Sequence, residues 1–91
     1  MQKFVIEREI PGIGESAMPE LREGAEASCA AAAEVGPGIH WLYSYVTEDK
    51  TFCVYLAEGE QVIRDHAEAA GLPADTITPV ERLIDPTTRR A

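Results

Sequence analysis

IHWLYSYVTEDKTFCVYLA, Ile39 to Ala57, decides the fold. Two runs rich in β-branched and aromatic residues, Ile39 to Thr47 and Lys50 to Ala57, flank the dipeptide Glu48-Asp49, which predicts a β-hairpin closed by a short turn. With a two-residue turn, Tyr45 faces Phe52, Tyr43 faces Val54 and Trp41 faces Leu56; on the reverse side Ser44 faces Cys53 and Leu42 faces Tyr55.

On either side of the hairpin the periodicity changes. Gly36, Pro37 and Gly38 precede it and stop a helix predicted from near Pro19 to Val35, with Leu21, Ala25, Ser28, Ala32 and Val35 as its inward stripe. Before that, Lys3 to Ile10 alternates as a strand, with Phe4, Ile6 and Ile10 on one face and Val5, Glu7 and Glu9 on the other. Pro11, Gly12 and Gly14 end it as turn residues, in a stretch too short for a phosphate loop. After the hairpin, Glu60 to Ala70 reads as a helix with Ile63, Ala67 and Ala70 inward and Gly71 as its stop. Leu72 to Asp75 is a loop, and Thr76 to Ile84 reads as a last strand placed at an edge by Pro79. Asp85-Pro86-Thr87-Thr88 ends the ordered part, giving one domain over residues 1–91 with an ordered core from about residue 2 to residue 86.

The order βαββαβ predicts an α+β, ferredoxin-like domain: a four-stranded antiparallel sheet with two helices on one face. One sheet face then carries Val5, Trp41, Tyr43, Tyr45, Phe52, Val54 and Leu56, and the other Phe4, Ile6, Leu42, Val46, Cys53 and Tyr55. Both are apolar, and helices cover only one. A carboxylate under a helix is costly, so the Glu7 side is assigned to the open face. An uncovered aromatic face of this extent marks a dimer contact or a cavity beside it, and a homodimeric, α+β barrel-like assembly is the expectation.

Charge and composition exclude several partners. Sixteen acidic residues against eight basic ones give a net charge of −8, which repels phosphate backbones and anionic membranes and excludes nucleic acid as a partner. No apolar run is long enough to span a membrane, and Met1 leads at once into a strand pattern, so a cytoplasmic location is expected. The two cysteines, Cys29 and Cys53, form no CxxC pair and read as small buried hydrophobes.

Three residues carry potential chemistry. Glu7 alternates with the aromatic set, where burial near Trp41 and Tyr43 would suit it to acid or base work; the plainer account pairs it with Arg8 or Arg82 at the sheet rim. His40, at the start of the second strand, and His66, beside the inward stripe of the second helix, are the candidate ligands of a transition metal, with carboxylates completing the shell. No HExxH or Cys-His cluster is present, so such a site is assembled across elements or subunits.

Four segments carry a resemblance: KFVIEREIPG (Lys3 to Gly12), GPGIHWLYSYVTEDKTFCVYLA (Gly36 to Ala57), IRDHAEAAGLPAD (Ile63 to Asp75) and IDPTT (Ile84 to Thr88). Together they resemble a family of small bacterial proteins of unknown function, one branch of which is nickel-binding. The resemblance implies a ferredoxin-like fold, dimerisation through the sheet, and nickel binding or sequestration without catalysis. It transfers no ligand motif, so His40 and His66 rest on their chemistry alone. Two alternatives stand beside this reading: a small-molecule binder or cofactor-free enzyme with an aromatic cavity at the sheet face near Glu7, and an interaction module in which these features are packing only.

Overall fold

A computed structural model describes residues 1–90. Strands β1 (Gln2–Glu9), β2 (Ile39–Val46), β3 (Lys50–Ala57) and β4 (Thr76–Pro79) form one antiparallel sheet in the order β2-β3-β1-β4. Helices α1 (Met18–Val35) and α2 (Glu60–Ala70) pack against each other and against the sheet. This is the ferredoxin-like α+β arrangement that the element order predicts.

Alternation along the strands builds the core. Phe4 and Ile6 of β1, Ile39 of β2, and Cys53, Tyr55 and Ala57 of β3 meet Ile63 of α2 beneath the helices. Ile6 and Ile63 are fully buried, each contributing about 2–3 kcal/mol of hydrophobic stabilisation. Ser28 and Ala31 are the buried positions of α1, whose small side chains bring the helix close to the sheet.

The hairpin register holds at its turn end and shifts at the other. Tyr45 faces Phe52, Ser44 faces Cys53 and Tyr43 faces Val54, but Trp41 faces Tyr55, not Leu56, and His40 faces Leu56. Leu42 is the extra residue of a β-bulge, and one inserted residue reverses the facing of everything before it. Trp41 therefore lies on the helix side, with its indole N–H donating to Ser44 Oγ at 2.9 Å, while Leu42 is exposed.

The Glu48-Asp49 turn acts as an acceptor for the loop after β1. Amides of Ile10 and Gly14 donate to the carbonyls of Asp49 and Glu48, and that of Gly12 donates to Asp49 Oδ1. Gly14 is required by this approach, since a Cβ there would stand 2.7 Å from the Thr47 carbonyl oxygen.

At the other end, β4 is shorter than its sequence suggests. Phe4 faces Pro79, so the register carries residue 81 opposite Gln2, the first residue of β1, and later residues have no strand to pair with. Val80 N still donates to Lys3 O; Leu83 and Ile84 are exposed. The Asp85 carboxylate accepts from the amide and hydroxyl of Thr87, just ahead of a 3-10 turn over Pro86–Arg90. Those bonds hold the Asp85 carboxyl below its usual range. Among the described residues, no helix is long and apolar enough to cross a membrane.

Candidate functional site

The period of two that buries Phe4 and Ile6 continues to Arg8, which is 1% exposed. Its guanidinium sits under the helices, donating from Nη1 to the Pro73 carbonyl and from Nη2 to the Tyr55 hydroxyl at 3.3 Å. Nε has no acceptor, and among the described residues Arg8 forms no ion pair. The α2–β4 loop is fixed above it, with Asp75 accepting from Glu9 N at 2.7 Å and donating its own amide to Glu7 O.

Next to Arg8 the small side chains of α1, Gly24, Ala25 and Ser28, stand over Trp41, Thr51 and Tyr55 and leave a cavity of about 240 Å³. Ile10, Ile13, Leu21 and Val46 add apolar wall. Glu20 and Gly24 line it and are exposed, so it opens to solvent along the first turns of α1. This space lies on the helix side of the sheet, opposite the face where the sequence suggests a cavity.

His66 belongs to the same buried layer. Its ring meets that of Tyr55 edge-on at 5.3 Å, and Nε2 stands 3.0 Å from the Ser28 carbonyl. A carbonyl only accepts, so Nε2 carries the proton and Nδ1 is left as an acceptor with no donor. Burial pushes the His66 pKa below its ordinary value of 6.5; the Ser28 carbonyl opposes this, and the Arg8 charge adds to it. The imidazole is neutral at pH 7.

The other candidates lie apart from this layer. His40 is exposed on β2 opposite Leu56, whereas His66 is fully buried on α2. Two residues before His40, Gly38 gives room to Glu58, whose Oε2 lies 3.0 Å from where a Gly38 Cβ would be. Glu7 is on the open face opposite Phe52 and Thr76, with Lys50 Nζ at 3.8 Å as its partner, in place of Arg8 or Arg82. Tyr43 and Tyr45 are exposed on β2, across β3 from Glu7, their rings packed edge-on at 5.5 Å, with Phe52 half-buried and Val54 buried on β3 between them and β1. Trp41 has left that set through the bulge. Cys53 is buried as expected, whereas Cys29 is exposed on α1. Among the described residues no group of three or more His, Cys, Asp or Glu side chains gathers as a metal site.

The family model of nickel responsive, SCO4226-like proteins matches residues 4–80, which take in the sheet except for Gln2 and Lys3, both helices and every residue that lines the cavity. The chain belongs to the SCO4226-like family. A solved structure agrees with the fold: that of SCO4226 from Streptomyces coelicolor A3(2) superposes with a TM-score of 0.74 over 90% of this chain and 99% of that one, at 19% identity. Among curated proteins, no match was found.

Sequence reasoning placed Arg8 at the sheet rim as a partner of Glu7 and missed its burial, and it did not single out Glu58. The signal for Arg8 was present, because a face that carries Phe4, Ile6 and Ile10 passes through residue 8. Glu58 has no comparable signal, since its position follows from the missing side chain at Gly38.

Proposed function

We propose that this SCO4226-like chain is a non-enzymatic, nickel-responsive homodimer that holds the metal between copies. The observation that carries the reading is the family match over residues 4–80, since the family is described as nickel responsive. Nickel accepts imidazole and carboxylate ligands in open geometries. His40 is exposed, the Glu58 carboxylate stands against Gly38, two residues before His40 in sequence, and a second copy would supply the same groups again. His66 is a structural residue in this reading, because its Nε2 is engaged by Ser28 and its ring is enclosed.

Dimerisation uses the open face. Val5, Tyr43, Tyr45, Phe52, Val54 and Leu56 lie on the sheet face away from the helices, with Tyr43 and Tyr45 exposed, Val5, Phe52 and Leu56 half-buried and Val54 buried, and Leu83 and Ile84, at 66% and 76% exposure, add apolar surface beyond β4. A small domain with this much apolar area gains by covering it with a copy of itself. Sedimentation velocity on the metal-free and nickel-loaded chain tests the reading. The dimer is expected in both states, tightened by nickel, and a Tyr43→Glu, Tyr45→Glu variant is expected to sediment as a folded monomer. A wild-type monomer that nickel does not change would overturn it.

A further inference from the structure

An arginine enclosed among apolar side chains without an anion is costly, because its charge loses water and gains nothing of opposite sign. Arg8 is in that position. Its recorded partners, the Pro73 carbonyl and the Tyr55 hydroxyl, are neutral, and Nε has none. It also lines the cavity between α1 and the sheet, where Ser28 and Thr51 offer hydroxyls and Ile13, Leu21 and Trp41 offer apolar wall.

The geometry points to a binding site for a small organic monocarboxylate, whose carboxylate meets Arg8 and whose apolar body fills the space between Leu21 and Trp41. A planar guanidinium fork suits a carboxylate. The volume of about 240 Å³ is just under the range of small-molecule pockets and sets the ligand's size. One cation balances one negative charge, and Glu20 at the rim together with the net charge of −8 disfavours dianions such as phosphate. The site is separate from the nickel reading and stands or falls without it.

Trp41 lines the cavity and is the chain's single tryptophan, so its fluorescence reports on occupancy. Metal-free protein is titrated to millimolar concentration with phenylacetate and octanoate, with phenylacetamide and inorganic phosphate in parallel. At least one acid is expected to give a saturable change, with the amide weaker by about tenfold or more, as loss of a charge-assisted bond requires, and with phosphate weaker because it has no apolar body and carries a second charge past Glu20. Ala25→Leu, which fills the cavity and keeps Arg8, is expected to abolish the response with the circular dichroism spectrum unchanged; Arg8→Met is expected to remove the preference for acid over amide. No saturable change with either acid, equal binding of the amide or phosphate, or an undiminished response in folded Ala25→Leu would each overturn the proposal. The acid and amide comparison uses the wild-type chain, so the test remains decisive if a variant does not fold.

Discussion

Arg8 Nη2 donates to the hydroxyl of Tyr55 at 3.3 Å, with the guanidinium carbon 6.0 Å from the centre of the same ring. Tyr55 in turn packs edge-on against His66, which is bonded to Ser28 of α1. A chain of polar contacts thus runs from the sheet to both helices inside an otherwise apolar layer, and it ties the two helices to one strand position.

Removing the Tyr55 hydroxyl tests that relationship. Tyr55→Phe keeps the ring and its packing but leaves a buried guanidinium with one acceptor fewer, at an expected cost of about 1–3 kcal/mol. Urea unfolding is the measurement, with an unchanged m-value expected because the fold and its buried area are the same.

His66 makes stability depend on pH. Because its folded-state pKa is lowered below 6.5, the unfolded chain takes up a proton in the interval below 6.5 where the folded chain does not. Stability from this residue is therefore complete above 6.5 and falls with acid until the folded-state pKa is reached. Proton NMR titration of the imidazole should show the lowered value, and the acid-side loss should be smaller in His66→Gln.

Gly14→Ala should destabilise the junction between the first loop and the hairpin. The added Cβ would stand 2.7 Å from one backbone oxygen and 2.8 Å from the Glu48 Cα, and backbone gives way less easily than a side chain. A loss of about 1–3 kcal/mol is expected by thermal or urea unfolding, while Gly24→Ala, with open space around its Cβ, should not destabilise the chain.

Deleting Leu42 should remove the bulge and leave Trp41 opposite Tyr55, because Tyr43 stays opposite Val54 and the residue before it then alternates to the helix side. The indole keeps the cavity wall, so an unchanged emission maximum is expected in the folded variant. A red-shifted maximum would show that Trp41 had turned to the open face and that Leu42 is not the extra residue.

Much of the fold was legible because its determinants are local. The hairpin run from Ile39 to Ala57, the helix stop at Gly71 and the edge position of Pro79 each follow from nearby residues. Three features depended on tertiary placement. The bulge at Leu42 carries no glycine to announce it, and it alone moved Trp41 across the sheet. The end of β4 is set by where β1 begins, not by the composition of residues 80–84. The cavity follows from Gly24, Ala25 and Ser28 standing over Trp41 and Tyr55, a pairing of distant segments. For the candidate ligands, alternation shows that His40 is on a strand and His66 on a helix, but only packing shows that one is open to solvent and the other enclosed.

Calorimetric titration with nickel, with zinc and cobalt in parallel, is the most direct test of the proposed role of His40. Wild-type chain and His66→Gln are expected to bind nickel with the same whole-number stoichiometry per dimer, and His40→Ala is expected to lose it. Binding no stronger than that of an unrelated acidic protein, or nickel binding that survives in His40→Ala, would contradict the account.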